Sequence, residues 1–368
     1  MPETREIVRS TRAADRIAAA RAWLAAAPAA AEVLVVAPTR EAADDLVREL
    51  AAARGAVAGI HRLTPGRLAG LLAAEVTASS CLAPATELAA QAIAARAVFH
   101  FVPSGKLKHF APVADRPGFA EALARTIAEL RLNNVGARAL ARIGDGGAEL
   151  ALLLARFDEE LAAARLIDRA GMLAIAADAV RGNPLPRFAG IPALFLDVAV
   201  ESVRERDLIA ALAERAPRFL ATVPAGDERS AAMLASAVGV AISDPPRNRE
   251  ASASSLASLQ RHLFVDTAPS ERSLDETVAV TSAPGEMHEC VEIARRISRE
   301  AAAGVRFDRI AVLLRDPVRY VPYLQEALAR AAIPAHFSRE ARRPRPGGRA
   351  LLALLACKAE DLSARRYA

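Results

Sequence analysis

Apolar residues change their spacing along this chain, and the changes divide it into segments. Residues 6–9 form a short candidate strand, and residues 11–27 an Ala-rich helix. Residues 32–37 (EVLVVA) are a continuous apolar run with β-branched side chains, the pattern of a strand buried on both faces. A helix follows over 41–53, with Ala43, Leu46, Val47 and Leu50 on one face. Residues 57–60 predict another short strand and 64–75 another helix. Strand, helix, strand, helix with short joins implies parallel pairing through right-handed crossovers.

The strand signal disappears from about residue 84 to residue 181. Phe119, Leu123, Ile127 and Leu130 mark one amphipathic helix, and Leu150, Leu153, Leu154, Phe157 and Leu161 another. Residues 168–180 predict a third, so this stretch reads as an all-helical insertion. The α/β pattern then returns, with a strand at 193–197 (ALFLD), a helix at 205–214 and a strand at 218–223. A polar stretch with paired prolines, 243–255, marks a loop or boundary. A second α/β unit begins near Thr277, with strands at 278–281, 309–314 and 333–337 and helices at 286–302 and 320–331. From residue 348 the pattern is helical, and it stops at Ala368 with no closing cap. That predicts a piece of a longer protein.

Composition narrows the function classes. A hydrophobic fraction of 53% excludes a disordered chain. The net charge of +5 permits a nucleic-acid partner without requiring one. Only Lys106, Lys108 and Lys358 are lysines among 48 basic residues, so the positive charge is carried by guanidinium groups. Codon composition is the simplest source of that bias. Cys81, Cys290 and Cys357 are scattered without a CxxC pair, which argues against a disulfide framework or a zinc knuckle. The opening residues carry no apolar leader, and the apolar stretch 18–36 is broken by Arg21, Pro28 and Glu32. The expected location is cytoplasmic, with no membrane partner.

A phosphate-binding loop, GxxxxGK[ST], belongs between the first strand and first helix of such a fold. There the chain reads Val8-Arg9-Ser10-Thr11-Arg12-Ala13-Ala14-Asp15-Arg16, with neither Gly nor Lys. The one Gly-Lys pair, Gly105-Lys106, has His100 in place of the first Gly and Leu107 in place of Ser or Thr. Nucleotide hydrolysis is therefore not expected. Ser10, Thr11 and Arg12 suit a degenerate nucleotide site or simple helix capping. Asp197 ends its strand where P-loop enzymes hold Mg²⁺, but Val198 follows in place of the usual Glu. A structural acid fits it better than a metal ligand.

Thr39 and Arg40 follow one strand, and Arg62, Thr64 and Arg67 accompany the next. Hydroxyls and guanidinium groups at helix N-termini are common phosphate contacts, but both threonines are equally good N-caps. The six histidines make no HExxH set, and no GxSxG elbow is present. Residues 282–285 form a loop and cap before a helix, and 342–349 (RRPRPGGR) a solvated basic loop.

Three segments together resemble one family. VLVVAPTREAADDLVREL is similar to the second strand and helix of a superfamily 1 helicase core. ALFLDVAVESVRERDLIAAL resembles its acid-bearing strand, with the altered acid motif of the AddB/RexB subunits of bacterial helicase–nucleases. VAVTSAPGEMHECVEIARRISREAAAGVRFDRIAVLLRDPVRYVPYLQEALARAAIPAHF is similar to the start of the second motor domain in those subunits. The resemblance implies a P-loop-helicase-like parallel sheet, domain 1A, over 1–83 and 191–270, a 1B-like insertion over 84–190, and a truncated 2A-like domain over 276–368. It further implies double-strand-break processing, contact with single- and double-stranded DNA ends, and an ATP-hydrolysing AddA/RexA-like motor subunit as partner. A PD-(D/E)XK exonuclease domain with an iron–sulfur cluster and Mg²⁺ would follow residue 368, with no cofactor in the residues present. Thr39, Arg40, Arg62, Thr64 and Arg67 would touch strand phosphates, and Arg315 stands where helicases carry an arginine facing the nucleotide. The implied role is a non-hydrolysing scaffold that guides single-stranded DNA toward the nuclease. An active helicase subunit is one alternative. Another is a docking scaffold whose partner face is the helices of residues 119–180.

Overall fold

The computed structural model describes residues 4–28, 31–244, 254–263, 268–271, 273–337, 353, 354 and 357. The chain divides into two units, Met1–Asp275 and Glu276–Ala368.

In the first unit, β1 (Thr4–Ser10), β2 (Val33–Val36) and β3 (Ile60–Leu63) alternate with α1 (Ala13–Ala25), α2 (Arg40–Arg54) and α3 (Pro65–Leu72). After α4 (Ala74–Ser79), the two-residue β4 (Ala83–Pro84) leads into α5 (Glu87–Phe101), α6 (Pro117–Leu132), α7 (Ala137–Leu140) and α8 (Asp145–Ala163). β5 (Leu166–Ile167) and α9 (Arg169–Arg181) follow, then β6 (Ala193–Leu196), α10 (Val203–Arg215), β7 (Arg218–Pro224), α11 (Glu228–Val238), β8 (Ile242–Ser243) and α12 (Ser255–His262).

Six strands pair in the order β3-β2-β6-β7-β1-β8, and every pairing is parallel. Period-2 alternation assigns the side chains to two layers. Leu34, Val36, Ala193, Phe195, Phe219 and Ala221 face the core shared with α3, α9, α10 and α11. Val33, Val35, Leu194, Leu196 and Leu220 face Trp23, Leu24, Leu46 and Leu50 of α1 and α2. Both faces are covered, which is why β2 and β6 read as unbroken apolar runs.

The strand expected at 57–60 lies three residues later. Gly59 adopts φ +75° and backs onto Ala31, where a Cβ would come within 2.7 Å of the carbonyl oxygen. The chain turns there, and the ladder begins at Ile60.

The helical insertion has its own core, built from Ile93, Val98, Phe101, Leu123, Ile127, Leu153, Phe157 and Leu161. β4 and β5 pair across its two ends, with Ala83 N–H donating to the Arg165 carbonyl at 3.0 Å. α9 differs from the sequence reading. Its Leu173, Ala176, Ala177 and Val180 pack in the sheet layer and not in the insertion core.

The second unit holds two α-helices among its described residues up to 337, α13 (Glu286–Ala302) and α14 (Pro317–Arg330). Cys290, Ala294 and Ile297 pack against Leu324, Ala327, Leu328 and Ile333. The strands expected at 278–281, 309–314 and 333–337 are absent among the described residues. Ile310, Leu314 and Phe337 do pack on the helix pair, but the segments make no ladder with each other, and Val280 and Leu313 stay exposed. An apolar run becomes a strand only with a paired neighbour. The expected loop at 342–349 lies outside the described residues, as does nearly all of the helical stretch from 348.

Candidate functional site

The sheet changes direction between β2 and β6: one connection leads outward to β3, the other to β7. Open parallel sheets bind ligands in the crevice at such a switch point, beyond the carboxyl ends of the strands. A cavity of about 640 Å³ lies there, lined by Pro38, Thr64, Phe195, Val198, Arg169 and Leu208 among others.

β2 and β3 run in register, with Val36 opposite Leu63. The segments that follow them therefore lie side by side at one edge, and the five predicted contact residues come together. Asp44 of α2 sits between two of them. Its carboxylate is 2.9 Å from the Arg62 guanidinium and 3.7 Å from Arg40 Nε. Thr39 caps α2, its hydroxyl accepting from Ala42 N–H at 3.2 Å. Thr64 occupies the same position on α3 but makes no such bond. Arg67 is exposed and makes no hydrogen bond or ion pair among the described residues. The edge thus presents a free hydroxyl, a free guanidinium and two arginines sharing one carboxylate.

The place of a nucleotide site is built differently. Ser10 Oγ accepts from Arg12 N–H at 3.1 Å and donates to Asp15 at 2.8 Å, closing the turn between β1 and α1. Arg12 is the N-cap residue of α1 and makes no side-chain cap; Thr11 is exposed. Arg16, one turn into α1, is buried with Ala20, Trp23 and Leu24. Its Nε lies 2.9 Å from Asp197 Oδ1 and its Nη1 2.6 Å from the Ser10 carbonyl. Thr222 of β7 donates to the same Asp197 oxygen at 2.7 Å and accepts from Asp197 N–H at 3.0 Å. Asp197 itself has φ +49°, a left-handed conformation that its two hydrogen bonds with Thr222 hold in place. An arginine and a hydroxyl both bond to Asp197 Oδ1, so the negative charge that would attract Mg²⁺ is already paired with a guanidinium. These residues do not fit a metal site.

Sequence reasoning identified Asp197 but missed Arg16 and Thr222. A signal was available for each. Arg16 falls on the apolar stripe of α1, and Thr222 interrupts an apolar strand where it is fully buried. Arg315 lies in the second unit, exposed and without a hydrogen bond or ion pair among the described residues. The helices of residues 119–180 offer few large apolar side chains to a partner. The exposed apolar stripe is instead on α5, where Leu88 and Phe99 are three-quarters exposed.

Among the described residues, no group of three His, Cys, Asp or Glu could hold a metal ion, and no helix is long and apolar enough to cross a membrane. No family model matches the chain, and no curated protein matches it.

Proposed function

We propose that this chain is a non-hydrolysing, helicase-like scaffold that holds single-stranded DNA for a double-strand-break-processing helicase–nuclease. The observation that carries the reading is the Arg16–Asp197 pair at 2.9 Å. It puts a guanidinium on the acid that a motor domain would use for Mg²⁺, beside a turn that has no glycine loop for phosphates. The strand order supports the helicase-like part of the reading, since β7 alone separates β1 from the acid-bearing β6. An active motor is disfavoured by the same pair.

The DNA-binding part rests on the β2–β3 edge. Thr64 and Arg67 have no competing side-chain partner among the described residues, and the α3 N-terminus adds backbone N–H groups for a phosphate. Fluorescence anisotropy with a labelled oligothymidine tests it. Arg40→Ala combined with Arg67→Ala is expected to weaken binding about a hundredfold, since each hydrogen bond between charged groups contributes roughly 1.5 kcal/mol. Unchanged affinity overturns the edge as the DNA site.

A second reading, docking to a motor subunit, is favoured by one observation. Leu88, Ala92, Ala95, Phe99 and Val102 are all exposed at the spacing of a coiled-coil seam. It predicts a stable complex with such a subunit that Phe99→Glu abolishes.

A further inference from the structure

A second, smaller cavity of about 250 Å³ opens where the end of α6, the middle of α8 and the first turns of α9 and α10 meet. Two guanidinium groups line it, from Arg131 and Arg204. They are not equivalent. Arg131 is fully matched: its Nε and Nη2 donate to both oxygens of Asp168, at 2.6 and 3.2 Å, and its Nη1 to Asp158. Asp168 is used up in turn, since it also caps α9 through Gly171 N–H at 2.9 Å. Arg204 has no carboxylate partner among the described residues. Its one hydrogen bond among the described residues is to the neutral amide oxygen of Asn134, at 2.8 Å, and its Nε is buried with no partner.

Asn134 is held where it meets Arg204. It adopts φ +55°, and the turn that ends α6 fixes it through Asn134 N–H to the Arg131 carbonyl and Val135 N–H to the Leu130 carbonyl. Asparagine tolerates that conformation better than most residues. The arginine is thus oriented by a rigid neutral group that leaves its charge uncompensated.

The charges on the lining decide the ligand. Arg131 is balanced by Asp168 and Asp158, which leaves Arg204 as the one guanidinium on the lining without a carboxylate among the described residues, a single unmatched positive charge. A phosphate carrying two negative charges would leave one of them unmatched beside Asp158. A carboxylate carries one, and its planar oxygens suit the fork of a guanidinium edge. The volume is that of roughly eight waters at about 30 Å³ each, room for a small acid or a chain end. We propose that this cavity is a carboxylate-binding site with Arg204 as its fork. The proposal is independent of any DNA contact at the β2–β3 edge.

The test is calorimetric titration of the full chain at constant ionic strength, with propionate, inorganic phosphate and acetyl-trialanine as probes, the last with a free or an amidated carboxyl. Propionate is expected to bind with millimolar affinity and more tightly than phosphate. Arg204→Leu is expected to weaken it at least tenfold. Asn134→Asp supplies Arg204 with a carboxylate of its own, so this variant is expected to fold and to lose binding equally. Tighter binding of the free peptide than of propionate assigns the site to a chain terminus, and the reverse to a free acid. No propionate binding at 20 mM (about the limit of the method), binding in either variant as tight as in the parent chain, or a preference for phosphate overturns the proposal.

Discussion

Arg16 and Asp197 lie 181 residues apart in the chain and 2.9 Å apart in the fold. Their side chains are 8% and 25% exposed, so the charges are mostly withdrawn from water. Such a pair adds little over an apolar substitute, but removing one partner leaves an unpaired buried charge. Arg16→Ala is predicted to destabilise the first unit by about 3 kcal/mol, read as a lower urea midpoint. It is not predicted to create ATP hydrolysis, because the turn before α1 still lacks the phosphate loop. Appearance of ATPase activity in this variant would show that Arg16 alone keeps the site silent.

Thr39 and Thr64 occupy equivalent positions in two successive strand–helix turns, and only Thr39 caps its helix. Thr39→Ala is predicted to cost about 1 kcal/mol of stability. Thr64→Ala should cost only a few tenths, and should act on oligonucleotide affinity. Thermal unfolding and anisotropy on the same two variants separate a cap from a ligand contact. Equal stability losses would contradict the assignment.

Glu149 lies one turn into α8, in the insertion core, and is 7% exposed. Burial pushes its pKa up, but N–H groups of His109, Phe110 and Lys108 donate to its two oxygens and hold the net value below the ordinary one. A carboxyl with a lowered native pKa stabilises the fold fully above its unfolded pKa. That contribution is lost as pH falls through the native value. Stability is therefore predicted to decline below about pH 4.3, the unperturbed value for Glu. Glu149→Gln should flatten that acid limb and cost about 2 kcal/mol at neutral pH, since its NH₂ group would face a backbone donor. An unchanged acid limb would contradict the role given to this carboxylate.

Much of the first unit was legible because both faces of its sheet are covered. Unbroken apolar runs such as VLVV and ALFL admit few other readings, and the helices around them carry one apolar face each. What sequence spacing could not supply was pairing at long range. In the sequence, Arg16 is one more charge in an Ala-rich helix; only the sheet order sets β6 one strand away from β1 and gives it a partner. The β8 strand is silent in the sequence because two residues, Ile242 and Ser243, make no pattern. In the second unit the apolar runs are real, but no described neighbour pairs with them. The contact edge was legible as residue types. Which of its two threonines is free for a ligand depends on φ, ψ and hydroxyl geometry that composition does not record.

Salt dependence of single-strand binding, measured with and without ATP and Mg²⁺, tests the central claim most directly. Each phosphate neutralised on a single strand contributes about −0.7 to the slope of log affinity against log salt. The full chain is predicted to bind oligothymidine with a clearly negative slope, to show a slope shallower by about 1.4 when Arg40 and Arg67 are both alanine, and to ignore ATP. No binding, a flat salt response, or affinity that changes with ATP would contradict a non-hydrolysing DNA scaffold.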